Sequence, residues 1–303
     1  MIGIYLCIWE GLTITIRHLN VFIKVADLGS MTAAAKELFI AQPSVSQTIK
    51  ELEEHYNVRL FERLSRKLYI TEEGRQLLSY ARYIVSLFDE MEQKMKQSAE
   101  NSKLKIGASI TIGTCILSDL YSRYQTYYPN IDIDTIVDNT TVVEDMVLKS
   151  KIDFALVEGP THSGDIVSKP FMNDELILVC GNKHPFRSKG HITLKELEDE
   201  PLILRESGSG TRELFENTML AEGIGMNIKG VCNSAEAIKN AVIANMGVSV
   251  ISKMIVEHEL KTKKLFQIEI DDAQFKRQFR IIYHKNKYIS KPIKDFWQLC
   301  YSP

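Results

Sequence analysis

The sequence predicts an α+β and α/β multidomain fold, in which one long helix joins a small helical domain with a β-hairpin to a larger, two-lobed α/β domain. The chain has 303 residues, more than one ordinary domain holds. Apolar residues follow helical spacing up to about residue 100, whereas strands alternate with helices after Lys103. A content of 45% hydrophobic and 25% charged residues is typical of a globular chain. The net charge of -2 does not by itself indicate a nucleic-acid partner.

Residues 1–14 form an apolar extension, and the sequence leaves open whether it is native. Glu10 interrupts the extension and no basic residues precede it, so it fits neither a signal peptide nor a membrane span. No other stretch reaches the ~18 apolar residues of a spanning helix, so we expect no membrane partner. The five cysteines form no CxxC pair, which favours a reducing, cytoplasmic location.

Three short helices are predicted in the first domain, residues 15–74. One face of the first helix is apolar at Leu19, Phe22, Ile23 and Ala26. The second helix covers roughly residues 32–38, and a short turn leads to the third, which begins at Pro43 because proline is tolerated in the first helical turn. The third helix has an apolar stripe of Val45, Ile49 and Leu52.

The third helix ends near Asn57, a residue that suits a left-handed C-terminal cap. The stretch VRLFERLSRKLYIT then predicts a β-hairpin, or wing, with a basic tip of Arg63, Arg66 and Lys67. Two helices joined by a tight turn and followed by a wing predict a winged helix-turn-helix, whose second helix enters the major groove of DNA. A solvated polar helix in an ordinary bundle is the alternative.

The polar residues of the third helix are candidate DNA contacts. Gln42 and Gln47 can pair with adenine, while Ser44 and Ser46 can reach bases or phosphates. Lys50 and the basic tip of the wing would contact phosphates or the minor groove. Residues 17–71 carry a net charge of only +2, so the pattern of side chains, not the charge, indicates this site.

One long helix is predicted from Thr71 to about Gln97, and its residues 75–100 form a linker. Apolar residues recur along it at spacings of four and three, the a/d pattern of a coiled coil. We therefore expect a dimer seam, with packing against its own domain as the alternative. The seam residues are Leu77, Ala81, Ile84, Phe88, Met91 and Met95.

The βαβ pattern of residues 103–303 predicts a mostly parallel sheet in two lobes. The first lobe covers about 103–166 and 270–303, and the second about 167–269. The strands are LKIGAS, IDIDTIVD, DFALVEG, ELILVCG, PLILRE, IKGVCN, VSVIS and FKRQFRIIYHK, and helices are expected at 111–127, 142–149, 211–221, 235–245 and 292–301. Ligands of such sheets bind beyond the carboxyl ends of the strands, which predicts a cleft between the lobes.

Each lobe places serine and threonine where a strand leads into a helix, in RESGSGTRELF and in GASITIG. Backbone amides and hydroxyls at a helix N-terminus bind anions, so two such starts facing one cleft would hold a small anionic metabolite. Plain helix capping is the alternative. Glu158 ends a strand and would hold a ligand amine or face solvent. The other candidates are Ser109, Thr111, Ser207, Gly208, Ser209, Gly210 and Thr211, with Arg212 nearby.

Catalytic and metal-binding motifs are absent from the sequence. It contains no GxSxG, P-loop or HExxH motif, and its seven histidines show no metal-ligand spacing. We therefore expect no catalytic residue, no metal and no cofactor, and a protein that is not an enzyme.

Over AAAKELFIAQPSVSQTIKELEEHYNVRLFER and the following ITEEG, the chain resembles LysR-type transcriptional regulators. The resemblance extends from about Ile14 to the C-terminus, and GSGTR with ALVEGP resembles the branch that regulates sulfur or carbon assimilation. It implies a winged helix-turn-helix, a dimerising linker helix and a periplasmic-binding-protein-like effector domain, assembled as dimers or tetramers. Thr32 and Pro43 complete the candidate DNA contacts, and Ser234 completes the candidate effector contacts.

Some positions depart from the family pattern. Asn57 stands where glycine is usual, and a left-handed cap tolerates this change. Leu64 replaces a small polar residue near the wing, which puts a phosphate contact there in question. Asn245 and Ser252 replace glycine and proline, which reshapes the far wall of the cleft.

Together these features predict a cytoplasmic transcriptional regulator, a homodimer or tetramer, that binds double-stranded promoter DNA. A small anionic metabolite between the lobes would control it. The alternatives are a ligand-independent DNA-binding protein and, less favoured, a soluble small-molecule-binding protein or enzyme.

Overall fold

The computed structural model describes residues 14–64, 67–96 and 103–302, without the side chains of residues 64, 67 and 93–96. Arg66, the linker at residues 101–102 and most of the N-terminal extension lie outside these ranges, as do the side chains of Leu64, Lys67 and Met95. The chain divides into two compact units, Met1–Lys96 and Gln97–Pro303. Within the described residues, no helix is long and apolar enough to cross a membrane.

The first unit has the winged helix-turn-helix order that the sequence predicts. Its elements are α1 (Ile16–Leu28), α2 (Met31–Glu37), α3 (Gln42–Tyr56), β1 (Phe61–Leu64), β2 (Lys67–Ile70) and α4 (Glu72–Lys96). A single core that includes Phe22, Ala35 and Leu60 joins the helices. Asn57 ends α3 in the left-handed conformation, with φ of 52°, which confirms its predicted capping role.

The predicted dimer seam on the long helix α4 has two parts, one packed inside its own unit and one exposed. Ala81 is fully buried in the core of its own unit, and Leu77 packs against the same core. The seam prediction is therefore wrong for Ala81, because α1 and its neighbours already cover that face of α4, whereas Leu77 is half-buried and remains a predicted seam residue. Further along the helix the apolar side chains remain exposed, by 43% at Ile84, 38% at Phe88 and 45% at Met91.

The second unit contains every strand and helix predicted for residues 103–303, and several more. Its helices are α5 (Ile110–Cys115), α6 (Leu117–Tyr127), α7 (Thr140–Leu148), α8 (Phe186–Lys189), α9 (Gly210–Ala221), α10 (Ala235–Ile243), α11 (Lys253–Lys261) and α12 (Lys291–Tyr301). Its strands are β3 (Lys103–Ser109), β4 (Asp132–Asp138), β5 (Phe154–Glu158), β6 (Ile166–Gly181), β7 (His191–Ile192), β8 (Pro201–Arg205), β9 (Asn227–Cys232), β10 (Ser249–Ser252), β11 (Leu265–Ile270) and β12 (Phe275–His284). The helix predicted at 111–127 is broken at Ile116 into α5 and α6.

Two long antiparallel strands, β6 and β12, run through both lobes. In the first lobe β3 lies parallel to β4 and β5, and β5 pairs antiparallel with β12. In the second lobe β10 and β11 pair antiparallel with β6, while β8 and β9 are parallel. The prediction of a mostly parallel sheet is wrong, because the chain passes between the lobes along two strands of opposite direction. For the same reason the lobe boundaries fall inside β6 and β12.

Each lobe has its own hydrophobic core. The first contains Ile106, Leu156 and Phe296, and the second contains Leu178 and Phe215. Helices α5 and α9 begin at the edges of these cores, directly after β3 and just beyond β8. The fold therefore brings the N-termini of two helices, one from each lobe, to the cleft.

Candidate functional site

The surface that the sequence assigns to DNA is exposed on α2, α3 and the wing. Ser46 is half-buried there. The exposed candidates are Thr32, Gln42, Pro43, Ser44, Gln47, Lys50 and Arg63. The structure therefore leaves these polar side chains accessible to a major groove.

The opposite face of α3 anchors it within the unit. Its buried residues are the predicted Val45, Ile49 and Leu52. At the far end of the helix, the Glu53 Oε1 atom accepts hydrogen bonds from the backbone amides of Leu60 and Phe61, at 2.8 and 3.3 Å. This carboxylate fixes the start of the wing relative to α3.

The amide of Gln47 is held in place by a neighbour one turn along α3. Its Nε2 atom donates to Glu51 Oε1 over 3.0 Å, and His18 Nε2 lies 3.1 Å from Glu51 Oε2. The hydrogen bond from Gln47 lowers the pKa of Glu51, so this residue stays an acceptor at neutral pH. The orientation of Gln47 is thus set before DNA arrives.

The ITEEG motif builds the junction between the wing and α4. The Thr71 hydroxyl donates to the Arg59 carbonyl over 2.7 Å and accepts from the Gly74 amide over 2.9 Å. A Cβ atom on Gly74 would lie 2.3 Å from the Leu60 carbonyl oxygen. Only glycine allows this close approach.

Glu158 lies at the centre of the inter-lobe cleft, between two of the predicted hydroxyl residues. Its side chain is only 1% exposed, so it does not face solvent. The Glu158 Oε2 atom accepts a hydrogen bond from Ser109 Oγ over 3.1 Å, and Oε1 accepts one from Thr211 Oγ1 over 3.3 Å. Because Ser109 belongs to the first lobe and Thr211 to the second, this carboxylate joins the lobes. Glu158 thus already accepts from the Ser109 and Thr211 hydroxyls, which the sequence assigns to a ligand anion.

Residues that sequence reasoning missed complete this buried cluster. The Arg277 guanidinium donates from Nε to Asp174 Oδ2 over 2.7 Å and from Nη1 to Thr211 Oγ1 over 2.9 Å. Its Nη2 atom lies 3.6 Å from Glu158 Oε2. Ser252, one of the departures from the family pattern, donates to Asp174 Oδ1 over 2.8 Å.

The position of Arg277 could have been found from the alternation of its strand. Phe275 and Phe279 point inward on β12, so the residue midway between them shares their buried face. A charged residue on a buried face needs a charged partner. Here a single guanidinium faces the two carboxylates of Glu158 and Asp174, which leaves the cluster with an excess of negative charge.

Buried hydroxyls without partners lie at the start of a helix in each lobe. Thr111 is fully buried and Ser209 is 1% exposed, and neither hydroxyl has a hydrogen-bond partner among the described residues. Ser109 and Ser209 occupy the N-cap positions of α5 and α9 without a capping side-chain bond, which contradicts plain capping for both. Ser234 does cap its helix, since its Oγ accepts from the Ala237 amide over 3.4 Å.

The glycines of GSGTR bring the lobes together. Gly208 adopts φ of 87°, and its carbonyl accepts from the backbone amide of Thr141 over 3.2 Å. A Cβ atom on Gly210 would lie 2.1 Å from the Glu158 carbonyl oxygen. Of the flanking polar residues, Ser207 is exposed, and the Arg212 Nε atom donates to Glu216 Oε1 over 2.7 Å.

A histidine links the lobes at the rim of the cleft. His162 Nε2 lies 2.9 Å from Glu213 Oε1 on α9, and Nδ1 lies 3.3 Å from Glu144 Oε2 on α7. The hydrogen bond to Glu213, followed by that to Glu144, raises the pKa of His162. When the ring is protonated, it bridges carboxylates of both lobes.

Three of the described cysteines are poorly suited to redox chemistry. Burial raises the pKa of Cys115 and Cys180 to about 11 and that of Cys300 to about 12. At neutral pH these thiols are protonated and therefore weak nucleophiles. Across residues 14–64, 67–96 and 103–302, no group of three His, Cys, Asp or Glu side chains could hold a metal ion.

Comparison with known proteins finds a matching family model for each of the two units. Residues 16–75 match the model of the bacterial regulatory helix-turn-helix protein, lysR family, and residues 97–302 match the LysR substrate binding domain. The HTH-type transcriptional regulator YeiE of Escherichia coli K12 is 34% identical over 95% of this chain and 97% of its own length. CysL of Bacillus subtilis is 32% identical over 91% of each chain. The RuBisCO operon transcriptional regulator of Allochromatium vinosum is 29% identical over 91% of this chain and 92% of its own length.

A solved relative covers the second unit. The regulatory domain of CcmR from Synechocystis PCC6803, in complex with 2-PG, is 26% identical with a TM-score of 0.62. The match covers 66% of this chain and 96% of that domain. The two-lobed fold of the second unit is thus the fold of a ligand-binding regulatory domain.

Proposed function

This chain belongs to the LysR family of DNA-binding transcriptional regulators with an effector-binding domain, and we propose that a small anionic molecule between its two lobes controls it. One observation carries the proposal: the buried, unpartnered hydroxyls of Thr111 and Ser209 lie on opposite lobes. Buried polar groups are normally hydrogen-bonded, so unmatched donors in a cleft indicate a missing acceptor. Backbone amides at the start of α9 add further donors for an anion.

The internal carboxylate of Glu158 sets how such an anion acts. An anion that accepts from Ser109 or Thr211 competes with Glu158 for the same hydroxyls, and the like charges repel each other. Binding therefore weakens the Glu158–Thr211 link and changes the relative stability of lobe arrangements, which is a population shift. The complex of the related CcmR domain with 2-PG supports a small molecule as the controlling partner.

The DNA-binding half of the proposal assigns roles within α3. Gln42 and Gln47 read base edges, and Ser44 and Lys50 contact the phosphate backbone. Their exposure on one end of α3, together with the anchored opposite face, supports this assignment.

A homodimer is part of the same proposal, with α4 as its main contact. Ile84, Phe88 and Met91 form an exposed apolar face beyond the part of α4 that packs on its own unit. A helical face of this kind is stable in water when a second helix covers it. Two such dimers would form the tetramer that the family resemblance implies.

A ligand-independent DNA-binding protein is the second candidate function. It is favoured by the contacts among Glu158, Ser109, Thr211 and Arg277, because these groups satisfy one another's hydrogen bonds. In that case the polar cluster would only hold the lobes together. Anions would then leave DNA affinity unchanged.

Fluorescence anisotropy on the DNA upstream of the chain's own gene tests these functions. We expect tight binding that sulfate, phosphate, O-acetylserine or a sugar phosphate alters. The double variant Thr111→Val/Ser209→Ala should lose this response and keep DNA binding, whereas Lys229→Gln, at an exposed position on β9, should keep both. Tight binding that no anion changes would favour the ligand-independent function, and only nonspecific binding would contradict the DNA-binding half.

A further inference from the structure

A second cavity opens along β12 and adjoins the cluster around Glu158 at Arg277. It has a volume of about 580 Å³, within the size range of small-molecule sites. We call it the outer pocket and define it by Thr161, Ser168, Asn217, Lys276, Gln278 and Arg280. Lys276 and Gln278 alternate with Arg277 along β12, so they point away from the buried cluster.

The outer pocket is electropositive. No ion pair or hydrogen bond of Lys276 is found among the described residues, and its side chain is exposed. The Arg280 guanidinium is oriented by neutral groups only, with Nε 2.6 Å from Ser168 Oγ and Nη2 3.3 Å from the Ser168 carbonyl oxygen. Glu213 is the one carboxylate at the edge of the pocket, and it faces His162 at 2.9 Å. Glu175 lies opposite Lys276 in the register of β6 and β12, but among the described residues no ion pair joins Lys276 or Arg280 to a carboxylate, so both cations are available to a ligand.

The spacing of these cations suits an elongated ligand. Lys276 and Arg280 are four residues apart on one strand, which separates their Cα atoms by roughly 13 Å. Gln278 lies between them, and Asn217 and Thr161 add neutral hydrogen-bonding groups from the walls. A ligand with one anionic group at each end and polar groups between them would match this arrangement.

We infer that the outer pocket binds a small metabolite with two anionic groups, carboxylates or phosphates, at Lys276 and Arg280. This site adjoins the Glu158 cluster at Arg277 but takes its two charged contacts from Lys276 and Arg280, and it does not depend on which ligand the central cleft takes. Its walls come from both lobes, since Thr161 and Ser168 lie beside β5 and at the start of β6, whereas Asn217 lies on α9. An occupant would therefore contact both lobes and bias their arrangement.

Isothermal titration of the full-length protein with citrate and with fructose 1,6-bisphosphate tests the inference. We expect saturable binding of at least one probe, weakened about tenfold or more in Lys276→Gln/Arg280→Gln, because each lost charged contact contributes about a factor of ten. The control Lys229→Gln removes an exposed strand lysine outside the pocket and should bind as the parent does. Binding of citrate alone would assign carboxylates, and binding of the bisphosphate alone would assign phosphates.

The double variant Thr111→Val/Ser209→Ala separates the two sites. We expect it to bind the probes with unchanged affinity. Loss of binding in this variant, with full binding by Lys276→Gln/Arg280→Gln, would overturn the outer site and place the ligand in the central cleft. Failure of both probes to bind the parent protein would also overturn the inference, while leaving the proposed regulation through Thr111 and Ser209 open to its own test.

Discussion

The Thr211 hydroxyl of the second lobe donates a hydrogen bond to the Glu158 carboxylate of the first, over 3.3 Å in a site closed to solvent. The same hydroxyl accepts from Arg277 over 2.9 Å. Thr211 thus stands between a buried anion and a buried cation. Substitutions of Thr211 and Glu158 can therefore test the stability of the second unit and its response to anions.

Glu158→Gln should increase the affinity of the cleft for anions. Removing the buried negative charge relieves repulsion of about 1–2 kcal/mol, which corresponds to roughly tenfold tighter binding. Titration with sulfate and phosphate, followed by DNA anisotropy, measures this change. Glu175→Gln, an exposed carboxylate on β6, is the control and should have no effect. Weaker anion binding by Glu158→Gln would contradict competition between ligand and carboxylate.

Thr211→Val should lower the free energy of unfolding by about 1–3 kcal/mol, because buried charged partners on both sides lose a hydrogen bond. Thr211→Ser keeps the hydroxyl and should lower the free energy of unfolding clearly less. Urea denaturation compares the two variants, and DNA affinity should stay intact in both. Equal stability of the valine and serine variants would show that the hydroxyl contributes only packing.

Gln47→Ala should relax specificity at one base pair and weaken binding to the intact site by about 1–3 kcal/mol. Lys50→Ala should instead weaken binding to all sequences alike and reduce the salt slope by about one, because it contacts phosphate. Anisotropy with a set of single-base-pair variants of the promoter site distinguishes the two. If Gln47→Ala weakened all sequences equally, Gln47 would not take part in base readout.

The bridge between lobes at His162 should weaken as the pH rises. Its pKa is raised above the ordinary value of 6.5 by Glu213 and then by Glu144. The stabilisation is therefore complete below the unfolded-state pKa and is lost as the pH rises through the higher folded-state pKa. We expect the difference in Tm between the parent and His162→Gln to be largest below pH 6.5 and to shrink as the pH rises through the raised pKa. A difference independent of pH would mean that the neutral ring makes the contact.

Ile84→Glu/Phe88→Glu should convert the proposed dimer into monomers, because carboxylates at the exposed apolar face of α4 would be buried in the contact. Sedimentation velocity measures the change, and circular dichroism checks that the helix remains folded. Asp89→Lys, an exposed charge on the same helix, is the control. A dimer that persists in the double variant would place the contact elsewhere.

Local features of the fold could be predicted because they depend on neighbours in the chain. The inward stripe of α3 follows from helical periodicity at Val45, Ile49 and Leu52. The left-handed cap at Asn57 follows from residue type and position. The helix starts at Ser109 and Ser209 follow from a strand, a polar turn and a helix in series.

The contents of the cleft could be predicted only in part. Sequence reasoning proposed Ser109, Thr111, Glu158 and Thr211, and the structure brings them together with Arg277. Sequence reasoning could not show that Glu158 would accept hydrogen bonds from hydroxyls that were expected to bind a ligand. Hydrogen-bond partners depend on distances that residue spacing does not contain.

The sequence by itself determined the winged helix-turn-helix, the long α4 helix, the order of strands and helices and the polar helix starts, because each depends on periodicity or residue type over a few turns of chain. Only the tertiary structure decided that β6 and β12 pass antiparallel through both lobes. It also decided that Ala81 packs inward while Ile84 stays exposed, and that Asp174 meets Arg277 across 103 residues of sequence. The physical reason is that burial and ion pairing are set by the packing of elements that are distant along the chain, so no local pattern records them.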